Sequence, residues 1–177
     1  AVLLAAFIRR DFTFVYVAEH SSRDLPARYA FTALWSGQEG SLLFWVLLLT
    51  GLGSAAVLLN RRLVSEVLPW TVPIVGATAM YFCLVLVFVS SPFETQVAPA
   101  EGFGLNPSLQ NPYMAAHPPM LYLGYVGLTI PFAFAMAALA SKRADDRWIV
   151  ATRRWTLASW SFLGVGILLG AKWAYEE

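Results

Sequence analysis

Four long apolar runs without a charged side chain divide the sequence. They are 20, 27, 40 and 17 residues long and cover residues 40–59, 67–93, 102–141 and 155–171. Because a helix needs about 20 apolar residues to cross about 30 Å of hydrocarbon, three of these runs predict one membrane span each. The 40-residue run is too long for a single span and has to be divided.

The first part of the long run is rich in residues that interrupt helices. Residues 102–119 contain four prolines, two glycines and two asparagines. This composition would leave many backbone groups unpaired in lipid, so we predict that the stretch lies outside the bilayer. The pattern therefore predicts an all-α, polytopic transmembrane helix bundle with four complete spans and part of a fifth. The spans are expected at about 40–59, 68–90, 119–141 and 155–172, and the partial span at 1–8.

Basic residues fall mainly in two of the stretches that connect the spans. Seven of the twelve lie in residues 60–67 and 142–154, and they are Arg61, Arg62, Lys142, Arg143, Arg147, Arg153 and Arg154. Because Lys and Arg are retained on the cytoplasmic side, both stretches are predicted to be cytoplasmic loops. Residues 9–39 and 91–118 then form outer loops. The chain has no initiator Met and opens within an apolar run, so we expect it to be a piece of a larger protein.

Composition narrows the class of protein further. The sequence is 58% hydrophobic and 13% charged, which argues against a soluble domain and for the lipid bilayer as the surroundings. A net charge of +1 argues against a nucleic-acid partner. The single cysteine, Cys83, excludes an intrachain disulfide and a CxxC heme-attachment site within this sequence. Phosphate-binding, zinc-protease and serine-hydrolase motifs are also missing from the sequence.

His117 is the strongest candidate for chemistry. It immediately precedes Pro118 and Pro119, which disfavour helix just before them and define the entry into the helix that follows. An imidazole on such a rigid corner at the membrane surface would suit an axial ligand to heme iron. The alternative is a histidine that caps the helix or hydrogen-bonds a loop.

Five polar residues of the first outer loop are weaker candidates for contacts with a ligand. These are His20, Arg23, Arg28, Gln38 and Glu39. His20 follows an apolar stretch, where a helix-end histidine bonded to the next loop is the alternative to a second ligand. Glu39 could stabilise a helix start through the helix dipole or line a polar bowl with residues 102–117. The two arginines could pair with heme propionates or stay solvated.

Three long segments resemble a known family in order along the chain. They are FVYVAEHSSRDLPARYAFTALWSGQEGSLLFW, GLNPSLQNPYMAAHPPMLYLGYVGLTIPFAFAMAAL and RRWTLASWSFLGVGILLGAKWAYEE. They are similar to the cytochrome c maturation proteins of the heme-handling protein family. The resemblance implies a component of a heme lyase system, which accepts heme from a heme chaperone and takes part in its thioether attachment to apocytochrome c.

The same resemblance assigns roles to individual residues. His117 matches the first of two outward-facing histidines that flank a tryptophan-rich segment and ligate the iron of incoming heme. Trp173 lies at the leading edge of that segment, and Pro118 and Pro119 follow the ligand. The heme is expected to be heme b before attachment. A second, stable heme b is expected in the full-length protein, with ligands that this sequence does not contain.

The resemblance also implies partners and a location. The partners are the heme chaperone, apocytochrome c and other cytochrome c maturation membrane proteins. The location is the bacterial cytoplasmic (inner) membrane, with the heme-handling side facing the periplasm or cell exterior. Two alternatives stay open: a heme conduit or transporter, and a non-catalytic structural membrane subunit. Charged residues inside the spans would mark a transport path, and the apolar runs contain no Asp, Glu, Lys or Arg.

Overall fold

The computed structural model describes residues 1–62, 64–142 and 145–176. Seven α-helices form within these ranges, and two short 3-10 turns, Ala33–Trp35 and Pro107–Leu109, connect them. The helices are α1 (Val2–Arg9), α2 (Val15–His20), α3 (Ala27–Thr32), α4 (Gln38–Asn60), α5 (Leu68–Phe88), α6 (Pro112–Ala140) and α7 (Arg147–Glu176). The described residues contain no strand, only an isolated antiparallel bridge between Phe14 and Thr95. The prediction of an all-α helix bundle is confirmed.

Four of the helices, α4 to α7, are long and apolar enough to cross a membrane. Most of the residues along them are only partly buried or exposed in the structure, so their remaining apolar surface must be covered by lipid or by other helices. The chain is therefore a multi-pass membrane protein. The four complete spans fall on these helices and the partial span on α1, while the bilayer boundaries along them stay a prediction. Both predicted cytoplasmic loops include residues outside the described ranges, namely Leu63, Arg143 and Ala144.

The chain folds into two compact units, and the division falls within the four long helices. The first unit comprises Ala1–Phe44, Leu84–Pro118 and Leu169–Glu177, and the second comprises Trp45–Cys83 and Pro119–Leu168. Both predicted outer loops thus belong to the first unit, together with the last turns of α7.

The first unit has its own apolar core, built from the N-terminal helices and both outer loops. Its buried side chains are Leu3, Ala6, Phe7, Phe12, Tyr16, Val17, Ala18, Leu25, Ala30, Ala33 and Leu105. The stretch 9–39 is therefore more than a loop, because burial of its apolar residues stabilises α2 and α3. The two outer loops are joined by backbone bonds, in which Val15 N–H donates to Glu94 O (3.0 Å) and Gln96 N–H donates to Thr13 O (2.8 Å).

In the second unit, α6 and α7 approach each other closely at small residues. A methyl group on Gly124 would lie 2.7 Å from Leu163 Cβ, and one on Gly166 would lie 2.9 Å from the Leu121 backbone nitrogen. The glycines thus let the two helix backbones approach. Gly164 makes no such contact, because open space surrounds it.

Helix α6 begins at Pro112, seven residues before the helix start expected at Pro119. The Asn111 side chain caps the new start, since its Oδ1 accepts from Tyr113 N–H at 2.8 Å. Pro112 at the first helical position is favourable, because its missing N–H would have no partner there. Pro118 and Pro119 interrupt the backbone hydrogen bonds without ending the helix. His117 consequently lies inside α6 and not on a corner before it.

Candidate functional site

The imidazole of His117 lies against the backbone of α7. His117 is half-buried in the second turn of α6. A methyl group on Gly170 would lie 2.5 Å from its Cε1 and 2.8 Å from its Nδ1. Any side chain at that position would therefore overlap the ring. Gly170 thus leaves the space that the imidazole occupies.

Trp173 completes a histidine–tryptophan pair with His117. The two ring centroids are 6.0 Å apart, and the ring planes make an angle of 54°. The indole Nε1–H donates to the Ser108 carbonyl oxygen at 3.2 Å. Ser108 is itself held in the 3-10 turn by Asn106, whose Oδ1 accepts from its N–H at 3.1 Å. The pair is thus oriented by α6, by α7 and by the second outer loop.

Lys172 and Tyr113 lie beside this pair. The Lys172 Nζ lies 2.8 Å from Glu176 Oε1, and 6.0 Å from the centroid of the Tyr113 ring. Tyr113 and His117 are four residues apart on α6, so they share one face of the helix. Sequence reasoning missed both Lys172 and Tyr113. The i, i+4 spacing could have revealed Tyr113 only if the helix had been expected to begin before His117.

His20 makes contacts of a helix-end histidine. Its Nδ1 lies 3.0 Å from the Tyr16 carbonyl oxygen, and its ring centroid lies 4.3 Å from that of Tyr16. Because a carbonyl oxygen only accepts, Nδ1 carries the proton in this contact. Nε2 faces Gly37, where a methyl group would lie 2.6 Å away. These are the contacts of the structural alternative, and a ligand role for His20 stays a prediction.

Arg23 pairs with a carboxylate of the second outer loop. Its N–H donates to Glu101 Oε1 (2.8 Å), and its Nε–H donates to Ala100 O (3.1 Å). The hydrogen bonds to Glu101 from the backbone N–H groups of Arg23 and Gly102 lower the pKa of that carboxyl. Arg28 lies over the ring of Tyr29, with its guanidinium carbon 4.8 Å from the centroid.

Gln38 and Glu39 lie in the first turn of α4, where the sequence predicts a helix start. Gln38 is exposed and Glu39 is half-buried. A carboxylate in the first turn interacts favourably with the helix dipole. Their place in the fold matches a helix start, and contact with a ligand stays a prediction for both residues.

The donor set around His117 fits a heme better than a free metal ion. Within residues 1–62, 64–142 and 145–176, no three His, Cys, Asp or Glu residues converge to hold a metal. A heme needs less from the protein, because the porphyrin supplies four nitrogen ligands and the protein an axial one. His117 offers an imidazole for that purpose, and Trp173 offers a flat aromatic surface beside it. The pair is therefore compatible with a porphyrin.

These features define a class of protein: a multi-pass helical membrane protein with a histidine–tryptophan pair at the end of two long helices. Residues 35–177 match the Cytochrome C assembly protein family. The chain belongs to this family, which confirms the resemblance in its sequence.

Several known relatives are similar over almost the whole chain. The cytochrome c-type biogenesis protein CcmF of Escherichia coli (strain K12) is 45% identical over 99% of this chain. CcmF of Pseudomonas aeruginosa is 45% identical over 97% of it. A solved structure, that of the cytochrome c heme lyase CcmF, is 32% identical over 98% of the chain with a TM-score of 0.75. The chain spans only 28%, 26% and 27% of these three proteins, so about a quarter of their length.

Proposed function

We propose that this chain forms part of the heme-handling surface of a cytochrome c maturation protein, in which His117 ligates the heme iron. The observation that carries the proposal is the contact of His117 with Gly170 and Trp173. An imidazole lies there beside an aromatic surface, in a chain whose relatives are named for cytochrome c biogenesis. Heme is here the substrate, delivered by a heme chaperone as heme b.

In this proposal the protein positions the imidazole of His117 and the indole of Trp173 for the incoming heme. The Gly170 backbone limits where the imidazole can go, so the ligand nitrogen is held before heme arrives. The bond from Trp173 to the Ser108 carbonyl holds the indole in one orientation, ready to pack against the porphyrin. The rings of Pro118 and Pro119 fix the backbone φ of the two residues that follow the ligand. Such preorganisation lowers the cost of bringing two reactants together.

The reaction that the placement serves is addition of cysteine thiols to the heme vinyl groups. Each thiol forms one S–C bond with a vinyl carbon, the C=C bond becomes a single bond, and the thiol hydrogen goes to the neighbouring carbon. Heme and the thiols of apocytochrome c are the reactants, and nothing leaves. Reduced heme and reduced thiols are required. In the proposal His117 holds the iron while the vinyl edge stays open to the apocytochrome.

The proposal includes the surroundings of the site. His117, Trp173 and both predicted outer loops lie opposite the basic loops in sequence pattern, which supports a heme-handling side that faces the periplasm of a bacterial inner membrane. Other cytochrome c maturation membrane proteins are the expected neighbours. The ligands of a second, stable heme b are expected in the remaining three quarters of a protein as long as the relatives.

The test is an absorption spectrum of the full-length protein that contains this sequence, coupled to an apocytochrome c attachment assay. His117→Gly should abolish both the spectrum of transferred heme and attachment, while any stable heme b keeps its spectrum. Added imidazole should restore the transferred-heme spectrum, because it can occupy the space of the lost ring. Unchanged transfer and attachment in His117→Gly would refute the proposal and favour a structural subunit.

A second variant examines the other histidine in the same assay. His20→Asn keeps a side-chain N–H that can donate to the Tyr16 carbonyl, so the helix end should be preserved. We expect this variant to bind and attach heme as the wild type does. Loss of the transferred-heme spectrum would instead assign His20 as a second ligand.

A further inference from the structure

We propose that Lys172, positioned by the ring of Tyr113, forms a subsite for the propionate carboxylates of the heme bound at His117. The side chain of Glu176 occupies this subsite in the present structure. The inference rests on the proposed heme ligation by His117. It assigns the electrostatic partner of the propionates to the end of α7.

The position of Lys172 follows from the two helices. Tyr113 and His117 lie on one face of α6, four residues and so about 6 Å apart along the axis. On α7, the Trp173 ring faces His117, and the neighbouring Lys172 ammonium lies 6.0 Å from the Tyr113 ring centroid. The ammonium therefore lies beside the side chain that is one helical turn from His117, toward the N-terminal end of α6.

The ammonium is held where it can accept a carboxylate. The Tyr113 ring lies on one side of it, and the Tyr175 ring is 5.4 Å away. Both rings attract a cation through their faces. The carboxylate of Glu176, 2.8 Å from Nζ, shows that an anionic oxygen fits this geometry. Lys172 can thus present a positive charge to an incoming carboxylate without moving far.

The bond to Glu176 is weak enough to be exchanged. Lys172 and Glu176 have exposed fractions of 47% and 36% in their side chains, so water screens the pair. The order Lys before Glu at i, i+4 is also the less favourable one for a helix. A heme propionate that arrives with the iron ligated at His117 can therefore replace Glu176.

The arginines of the first outer loop contact residues outside the histidine–tryptophan pair. Arg23 contacts Glu101 and the Ala100 carbonyl, and the Arg28 guanidinium lies on the ring of Tyr29. Lys172, in contrast, is the direct sequence neighbour of Trp173 and lies beside Tyr113. This proximity to the proposed iron ligand favours Lys172 over the arginines as the propionate partner.

The test compares two porphyrins on the full-length protein in detergent. Hemin and hemin dimethyl ester are titrated into wild type, Lys172→Gln and Lys172→Arg, and binding is followed by the Soret band. Lys172→Gln should weaken hemin binding roughly tenfold, because a charge-assisted bond is lost, and should leave binding of the ester unchanged. Lys172→Arg keeps the charge and should keep the preference for hemin.

A matched variant changes the competing carboxylate. Glu176→Gln should strengthen hemin binding and leave ester binding as it was, because the ammonium no longer has an internal partner. If Lys172→Gln weakens the binding of hemin and of its ester equally, or weakens the binding of neither, the subsite is refuted while ligation by His117 stands. If wild type binds neither porphyrin, the proposed function fails, and the inference fails with it.

Discussion

The close contact between Gly170 and His117 leads to a specific prediction for the variant Gly170→Ala. The added methyl group would lie 2.5 Å from the imidazole Cε1, whereas ordinary contact begins at 3.4 Å. The ring or the helix must therefore move by at least about 0.9 Å, the difference between these distances. A ligand misplaced by about 1 Å can lower the rate of a positioned reaction by roughly 100-fold. We expect a loss of that order in heme attachment.

The thermal stability of the variants separates helix propensity from the overlap. Alanine in a helix interior is more favourable than glycine by roughly 0.8–1 kcal/mol, because glycine loses more backbone entropy. The matched control is Gly164→Ala, also within α7, where open space surrounds the added methyl group. Gly164→Ala should therefore be at least as stable as the wild type, whereas at Gly170 the overlap with His117 offsets that gain. Only the variant at Gly170 should lose transferred heme.

The assay combines the absorption spectrum after heme transfer, the rate of apocytochrome attachment and the thermal midpoint of the full-length protein in detergent. Gly170→Ala should weaken or shift the Soret band and slow attachment, and Gly164→Ala should do neither. Equal heme binding in both variants would refute the argument that the close approach of α7 positions His117. An equal loss in both would mean that glycine matters for the flexibility of α7 and not for the imidazole.

The remaining predictions concern two side chains of the first unit, Tyr16 and Glu101. Tyr16→Phe removes the hydroxyl that accepts from Gly37 N–H at 2.9 Å, so we expect a loss of about 1–3 kcal/mol in thermal unfolding, and an unchanged midpoint would contradict it. Burial raises the pKa of Tyr16 from 10.0 to about 12. The contribution of the neutral hydroxyl to the free energy of unfolding is therefore present below pH 10 and lost as pH rises to about 12. The tyrosinate absorbance that Tyr16→Phe removes should titrate in that range. The pKa of Glu101 is lowered, so its stabilisation is present above its ordinary pKa and lost as pH falls through the folded value. Glu101→Gln should therefore remove the fall in hydrogen-exchange protection, relative to the intrinsic rate at each pH, that the Arg23 and Gly102 amides show in acid. An unchanged protection profile would count against this pairing.

The long helices were predictable because length without charge is a direct requirement of a bilayer. The runs at 40–59 and 155–171 both fall within single helices, α4 and α7. Helix ends were less predictable, since helices extend beyond the apolar run. Helix α7 begins at Arg147, where the Asp145 carboxylate accepts from the Arg147 N–H at 3.2 Å, well before the run begins at residue 155.

The candidate site was predictable in its ligand but not in its surroundings. His117 stood out through its prolines and its family resemblance, and Trp173 through the resemblance alone. The same prolines led to a wrong prediction of the helix start. Prolines disfavour a helical conformation at the residue before them, but the cap at Asn111 stabilises a helix that already includes His117. The bond from Trp173 to Ser108 joins residues 65 positions apart, and no local pattern predicts such a pairing.

The bridge between Phe14 and Thr95 has a consequence for the order in which the protein is made. Its two sides are separated by roughly 80 residues, so synthesis at about 5–20 residues per second produces them about 4 to 16 s apart. Helices α4 and α5 lie between them in the chain. Both helices are therefore made before Val15 and Gln96 can form their backbone bonds. Until then the Phe12 ring, which lies against Gly102, lacks part of its cover, and slower synthesis of α5 would prolong the exposure of a nascent, aggregation-prone surface.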